Sequence, residues 1–417
     1  MPRLRALVAA CALALIAIMP AQAQTKLRFF SWQTDDQSNS VWWLAANKAF
    51  EAAHPGVTIE FVKVPRDSFA DTMMVMFGGN TPPDIVHLAA FEFPSFVQEG
   101  FLEDLTPLIA RDKLDLKGWA GQGRCVIDGK TYCVNLNYFG YLLFYNTALL
   151  QAAGVAVPAD WEQFLDAARR VTASGKGQVF GTGLHTSAGA GQYLTELLAM
   201  VLDAGGRWTN SAGKPTIDTP EVIEGLRRWK LLQTEKLTPL GLKAEDVRQL
   251  FIEGRVAMRL DGPWMQGLLA KARPEVRDNL KTAETPTTTP LGGTSNVIAI
   301  PASLAPERKR LVWEYIRQVA SREWQEQYVA LSGQLAPRPG SLTPAILATK
   351  PFLATFQAAQ DKAAGKGIDR LPAGFETTYN EFAKIVTEEA QRMVLDNADP
   401  SATARRMQAR AVALQKR

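Results

Sequence analysis

The chain of 417 residues is poor in the residues that build metal and redox sites, with only 3 cysteines and 3 histidines. The histidines lie far apart, so no two have the spacing that a helical zinc site needs. Lys and Arg number 46 against 42 Asp and Glu, a formal net charge of only +4. This balance lacks the basic excess of nucleic-acid-binding proteins. We therefore expect no metal, no cofactor and no nucleic-acid partner.

The known signatures of enzyme active sites are also missing. The segment around Lys130 lacks the first glycine of a phosphate-binding loop, because that position is Arg124. Ser187 follows His185 at the place where a nucleophile elbow needs glycine. A pair of glycosidase carboxylates stays possible, because sequence does not give the distance between two carboxyl groups. We expect a protein that is not an enzyme, with a secreted carbohydrate-active enzyme as an alternative.

Apolar residues make up 47% of the chain and charged residues 21%, as in soluble globular proteins. That apolar content is enough to offset the entropy lost on folding, so the bulk of the chain should be ordered. The length corresponds to two or three domains.

Residues 1–23 have the pattern of a cleaved signal peptide. Two arginines precede an uncharged run over 6–19, which is too short to span a bilayer, and residues 21–23 (AQA) form a cleavage site. Residues 8–11 (VAAC) give a lipoprotein as the alternative, but the apolar run continues well past Cys11. We therefore expect a periplasmic protein.

If the protein is exported, the two cysteines outside the signal peptide, Cys125 and Cys133, lie in a compartment where disulfides form. Asp128-Gly129 is a hairpin turn signal between two short apolar segments. A three-residue loop at 128–130 would place the two cysteines opposite each other. In an oxidising compartment this arrangement predicts a structural disulfide.

Strand and helix patterns alternate along the chain, which predicts an α/β fold with parallel strands. The pattern covers residues 26–100 and recurs from residue 141, and the chain is mainly helical after Pro301. In such folds ligands bind beyond the carboxyl ends of strands. The segment 284–293 is the best candidate for a linker.

Several strand ends combine an aromatic ring with a polar group, which suits carbohydrates because sugars stack on rings and need hydroxyl partners. Other aromatic residues lie inside strands or helices and should belong to the core. The candidate ligand-binding residues are Trp32, Gln33, Arg66, His87, Phe91, Glu92, Tyr138, His185, Asp261, Trp264 and Arg338.

Motifs in a fixed order identify a family. The most specific of them is 251–264 (FIEGRVAMRLDGPW). The others are 81–86 (TPPDIV), 96–107 (FVQEGFLEDLTP), 128–132 (DGKTY), 143–147 (LFYNT), 154–158 (GVAVP) and 160–164 (DWEQF). With these motifs in this order, the chain resembles the extracellular solute-binding proteins of carbohydrate ABC importers, the maltose-binding-protein-like family.

The resemblance implies a type II periplasmic binding protein with two lobes, each a sheet flanked by helices, joined by a three-segment hinge. Lobe I would comprise 24–137 and 293–335, and lobe II would comprise 138–292 and 336–417. The crossings between the lobes would lie near 137–140, 290–295 and 333–338.

The resemblance also implies function. A sugar would bind between the lobes, the hinge would close, and an ABC permease would accept the ligand as the protein's only link to the membrane. We expect a monomer in which Trp264 stacks on the ligand. Arg66 and Arg338 suggest a phosphorylated polyol, such as a glycerol 3-phosphate ester, as an alternative ligand. A receptor that presents its ligand to a sensor would have the same sequence features.

Overall fold

The computed structural model describes residues 25–34, 37–187, 191–289, 291, 295–364 and 371–416. The predicted signal peptide, residues 1–23, lies outside the described residues. The same holds for residues 290 and 292–294 of the predicted crossing at 290–295.

Eleven strands occur in these ranges. They are β1 (Thr25–Ser31), β2 (Val57–Lys63), β3 (Ile85–Ala89), β4 (Val126–Ile127), β5 (Lys130–Thr131), β6 (Val134–Asn135), β7 (Leu142–Asn146), β8 (Phe180–Thr182), β9 (Val256–Asp261), β10 (Leu280–Ala283) and β11 (Asn296–Ala299).

The same ranges contain helices α1 (Gln37–Ala53), α2 (Phe69–Gly78), α3 (Phe93–Gln98), α4 (Thr106–Asp112), α5 (Thr147–Ala152), α6 (Trp161–Ser174), α7 (Gly191–Asp203), α8 (Pro220–Thr234), α9 (Ala244–Ile252), α10 (Met265–Leu269), α11 (Pro274–Arg277), α12 (Pro306–Ala320), α13 (Arg322–Ser332), α14 (Pro344–Thr349), α15 (Phe352–Ala364), α16 (Tyr379–Leu395) and α17 (Pro400–Gln415). None of these helices is both long and apolar enough to cross a membrane.

The first sheet has the strand order β2-β1-β3-β11-β6. Strands β2, β1 and β3 are parallel, as the alternating pattern predicts. Strand β11 comes from much later in the chain and lies antiparallel to both β3 and β6. The prediction of parallel strands is therefore wrong for β11, because periodicity reveals a strand but not the direction of its neighbour.

Helices cover both faces of the first sheet. Successive side chains of a strand point to opposite faces. Accordingly, Ile85 joins a core cluster with α1 and α12, whereas Val86 and Leu88 join a cluster with α2 and α3. All three side chains are fully buried, which explains the continuous apolar character of β3.

The second sheet has the order β10-β7-β9-β8, in which only β8 and β9 are parallel. Its core clusters draw on helices α6, α7, α8 and α16 on one side and on α9 and α15 on the other. The chain passes from the first sheet to the second between β6 and β7 and returns between β10 and β11. The lobe boundaries and hinge crossings drawn from the sequence stay predictions.

The predicted disulfide between Cys125 and Cys133 is present, with Cα atoms 5.1 Å apart. The predicted loop at 128–130 is wrong by one residue. Ile127 pairs with Lys130, so the loop contains only Asp128 and Gly129. Both have positive φ, +49° and +76°, as a two-residue type I′ turn requires.

Removing this disulfide should lower the stability of the protein without changing its fold. Both cysteines are fully buried and their bond closes a loop with a sequence separation of 8. For so short a loop we expect Cys125→Ala/Cys133→Ala to lower the free energy of unfolding by about 2–3 kcal/mol. Urea denaturation under non-reducing conditions measures the difference, and equal midpoints would contradict the prediction.

Candidate ligand-binding site

A cavity of about 950 Å³ lies between the carboxyl ends of strands from the two sheets. Its size is at the upper end of that found for small-molecule sites in proteins. The first-sheet side contributes Trp32, Gln33, Arg66, Phe91 and Glu92, all of them predicted site residues. The opposite side contributes Trp264, also predicted, together with Lys243, Arg248, Gln249 and Tyr379.

The first-sheet side is built around Trp32, which begins a short turn directly after β1. Its ring is stacked on His87, with centroids 4.2 Å apart and an interplanar angle of 14°. The guanidinium of Arg66 lies 4.7 Å from the ring centroid and forms an ion pair of 2.8 Å with Glu92. Arg66 also approaches the ring of Phe91, at 5.6 Å.

His87, a predicted site residue, packs behind Trp32 and is not among the residues that line the cavity. It is fully buried on the middle strand β3, where Nδ1 lies 2.9 Å from Oγ of Ser31. Gln33 is fixed beside it, because its Oε1 accepts a hydrogen bond of 2.8 Å from Nε1 of Trp43.

Burial should make His87 a source of acid sensitivity. Desolvation, with a smaller contribution from Arg66, lowers the pKa of His87 from 6.5 to about 3. Between pH 6.5 and about pH 3, His87 is protonated in the unfolded chain but neutral in the folded protein. The free energy of unfolding therefore falls as the pH falls below 6.5. We expect this residue alone to remove about 2 kcal/mol between pH 7 and pH 5.

Comparison with a variant isolates that contribution. Urea denaturation of the wild type and His87→Gln at both pH values should give a smaller pH dependence for the variant. Every other titrating group is common to the two proteins and cancels in the difference. Equal pH dependences would contradict the prediction, whatever the variant's absolute stability.

The second-sheet side is built around Trp264, three residues after β9. The rings of Phe139 and Tyr141 lie nearly perpendicular to the Trp264 ring, with centroids 5.0 Å and 5.7 Å from it. The guanidinium of Arg248 lies 5.5 Å from its centroid. Nε1 of Trp264 is buried and has no hydrogen-bond partner within the described residues.

A buried network of charges holds Arg248 in place. Nε and Nη2 of Arg248 donate to the two carboxylate oxygens of Asp261, at 2.8 Å and 3.1 Å. Asp261 also accepts from Arg259, whose Nη2 donates to Glu196 at 3.1 Å. Burial pushes the pKa of Asp261 upward, but the two guanidinium groups outweigh it and hold that pKa below its usual range.

Asp261 and His185 were expected to contact the ligand and instead lie within the second-sheet core. Both are fully buried and neither lines the cavity. Asp261 is occupied by its two arginines, and Nε2 of His185 is bonded to Ser187 at 3.0 Å. Asp261 is the last residue of β9 and His185 follows β8, as the strand-end pattern predicts, but their side chains are buried behind the cavity lining.

Tyr138 and Arg338 also lie outside the cavity lining. Tyr138 is buried against the backbone of Gly121, where a Cβ atom would lie 2.7 Å from its ring. Arg338 lies over Trp119 at 5.7 Å and donates to the backbone oxygen of Ala320. Both residues therefore pack locally instead of facing a ligand.

Most of the lining residues were not predicted, and four of them show why. Phe139 and Tyr141 follow closely after the predicted Tyr138, so the aromatic segment was recognised but the direction of each side chain was unknown. Arg248 lies on α9 and Tyr379 on α16, and neither follows a strand. No sequence signal that we used marks these two helices as cavity walls.

The positive and negative side chains that line the cavity are equal in number among the described residues. Within the same part of the chain, five cationic and five anionic side chains line the cavity: Lys63, Arg66, Lys243, Arg248, Lys384, Asp67, Asp71, Glu92, Glu245 and Glu388. Several pair with each other, and Lys243 reaches Asp67 across the cavity at 3.8 Å. Rings also meet across it, with Phe91 and Tyr379 centroids 4.8 Å apart. Such a surface favours an uncharged polar ligand over an anion.

Comparison with known proteins assigns the chain to a family. The model of the family described as bacterial extracellular solute-binding protein matches residues 35–326. The chain belongs to this family. The solute-binding protein is 24% identical over 389 residues to a putative binding protein of Brucella abortus, with 89% of each chain covered. The family resemblance inferred from the motifs is therefore confirmed.

Solved structures share the fold of this solute-binding protein. Maltose-bound MalE3 of T. maritima superposes with a TM-score of 0.82 at 19% identity, covering 94% of this chain and 100% of the other. UgpB of Mycobacterium tuberculosis, solved with glycerophosphocholine, gives 0.78 at 19% identity, covering 94% and 98%. The predicted two-lobed α/β fold is confirmed.

Proposed function

We propose that this solute-binding protein takes up an uncharged sugar or oligosaccharide in the cavity between its sheets and presents it to an ABC permease. The observation that carries the proposal is a cavity whose described lining residues have balanced charge and include an indole, Trp264, on the second-sheet side. The Trp264 ring gives apolar contact for the C–H faces of a sugar, and the amide and carboxylate groups that line the cavity serve its hydroxyls.

The same surface weighs against a phosphorylated polyol, the second candidate. A phosphate would need cations that are not already neutralised. Arg66 is paired with the buried carboxylate of Glu92, and Arg338 lies outside the cavity. The glycerophosphocholine found in UgpB keeps this candidate in the test, since UgpB shares the fold.

The remaining parts of the proposal follow from the family and the sequence. The signal peptide is cleaved after Ala23, the mature protein is a periplasmic monomer without catalytic activity, and the lobes close on the ligand about the three predicted crossings. N-terminal sequencing of the exported protein should begin at Gln24. Light scattering on the purified protein tests the monomer.

A thermal-shift screen tests the ligand class. The panel contains maltose to maltotetraose, chitobiose, lactose, ribitol, glycerol 3-phosphate and glycerophosphocholine, each at millimolar concentration. A ligand at 100 times its Kd stabilises the protein by about 2.7 kcal/mol, so a micromolar binder gives a clear shift. We expect a shift with at least one uncharged sugar, followed by calorimetric titration and a search for hydrolysis products.

Three results would overturn parts of the proposal. A shift only with the phosphorylated compounds would replace the sugar with a phosphorylated polyol. Release of shortened sugars would indicate an enzyme. No shift with any compound would contradict the proposed ligand class.

A further inference from the structure

We propose that Arg66 determines specificity by covering the cavity face of Trp32, so that this indole offers a ligand no ring face for stacking and the Arg66 guanidinium offers hydrogen bonds in its place. The proposal rests on the proposed function, because it names how that site discriminates among sugars. His87 and Arg66 both lie against the Trp32 ring, and their positions decide which of its faces a ligand can reach.

Trp32 has a neighbour parallel to its ring on the core side. His87, fully buried on β3, is stacked on the indole at 4.2 Å. Phe69, also fully buried, meets the indole at 4.8 Å with an interplanar angle of 80°. Neither of these partners lines the cavity. The face of Trp32 that a ligand could use is therefore the one turned toward the cavity.

Arg66 lies on that side. It lines the cavity, its side chain is 28% exposed, and its guanidinium is 4.7 Å from the centroid of the Trp32 ring. At this distance the cation is attracted to the electron-rich ring face. A sugar ring cannot occupy the same position, since stacking brings its carbon atoms to about 4 Å from the indole.

Glu92 makes the cover hard to displace. Its carboxylate is 5% exposed and forms the 2.8 Å ion pair with Arg66, while its Oε2 is buried and has no hydrogen-bond partner within the described residues. A ligand that pushed Arg66 aside would leave this buried carboxylate without its counter-charge. It would also remove the contacts of Arg66 with both Trp32 and Phe91.

The two sides of the cavity therefore differ in what they can recognise. The first-sheet side presents the N–H donors of Arg66 over the Trp32 ring, so it recognises the positions of hydroxyl groups. Stacking is left to the second-sheet side, where Arg248 lies farther from its ring, at 5.5 Å from Trp264. Removing the Arg66 side chain should open a second stacking surface and favour longer sugars.

The test uses the full-length mature protein and calorimetric titration with maltose, maltotriose and maltotetraose. We compare the wild type with Arg66→Ala, Trp32→Phe and the double variant. Arg28→Ala is the matched control, since Arg28 lies 5.7 Å from the Phe30 ring, outside the cavity. If Arg66→Ala fails to fold because Glu92 is left unpaired, Arg66→Ala/Glu92→Gln replaces it and is compared with Glu92→Gln.

We expect Arg66→Ala to bind maltotetraose about 5–10-fold more tightly relative to maltose than the wild type does, the range of a new aromatic contact. Trp32→Phe alone should change affinity by no more than about 2-fold, and in the double variant it should reduce the gain, because a phenyl ring offers a smaller stacking surface than an indole. A loss of about 10-fold or more in Trp32→Phe would overturn the proposal, because a ring that already stacks on the ligand would behave in that way.

A second readout needs no ligand and so separates this proposal from the proposed function. We measure how strongly acrylamide quenches the tryptophan fluorescence of each protein and of the same protein carrying Trp32→Phe. The difference between the two values is the quenching that is due to Trp32. We expect that difference to rise at least about twofold when Arg66 is removed, because the ring face becomes accessible, and to stay constant in Arg28→Ala. Equal differences with and without Arg66 would overturn the proposal even if no sugar binds.

Discussion

Replacing Arg259 by methionine is expected to lower the free energy of unfolding by about 3–5 kcal/mol, the largest loss of the variants considered. Arg259 is fully buried and stands between Asp261 and Glu196, which are buried as well. It also donates to the backbone oxygen of Gly183 at 3.2 Å. Methionine fills much of the space but leaves two carboxylates with less positive charge than they need in a medium that solvates them poorly.

Arg169→Met is the matched control for this measurement. Arg169 makes two short hydrogen bonds to Glu235, at 2.7 Å each, but both side chains are well exposed to solvent. Solvent screens such a pair, so the loss should be about 0–1 kcal/mol. Urea denaturation at pH 7 compares the two variants with the wild type. Similar losses in both would show that the buried network contributes no more than a surface pair.

Trp264→Ala should weaken binding of the sugar found in the screen by about 10–100-fold, equivalent to about 1–3 kcal/mol. Trp264 lines the cavity beside Phe139 and Arg248, and its removal takes away the main apolar contact of the second-sheet side. Its buried Nε1 also lacks a partner that a ligand hydroxyl could supply.

Trp264→Phe separates the contributions of the ring and of the N–H. A phenyl ring keeps part of the stacking surface, so this variant should lose less affinity than Trp264→Ala in calorimetric titration. Trp161→Phe serves as the control for loss of an indole elsewhere, since Trp161 packs on α6 in the second-sheet core and does not line the cavity. Unchanged affinity in a folded Trp264→Ala protein would remove this residue from the site.

Much of the secondary structure was predictable because local signals and tertiary packing agree. Helix α8 begins at Pro220, a residue with a backbone already set for a first helical turn. Helix α6 follows Asp160, whose carboxylate accepts a hydrogen bond from the backbone of Gln163. Strand β10, with the sequence LKTA, has neither alternation nor a buried apolar run, so no local pattern indicates it.

The candidate site was predictable in position but not in detail. The rule that ligands bind beyond strand ends located Trp32, Glu92 and Trp264 at the cavity. It could not tell that Asp261 turns inward to two arginines or that Tyr379 reaches the cavity from α16. Side-chain direction at a strand end and contacts between distant helices depend on tertiary packing, which local sequence patterns do not encode.

Inserting β11 between β3 and β6 delays completion of the first sheet during synthesis. The ribosome makes β1, β2, β3 and β6 within the first 135 residues, but β6 has no neighbour in this sheet until residues 296–299 emerge. Pairing across such a sequence separation is slow to form. A nascent chain that cannot finish its first sheet early leaves β6 without a partner strand until most of the protein has been made.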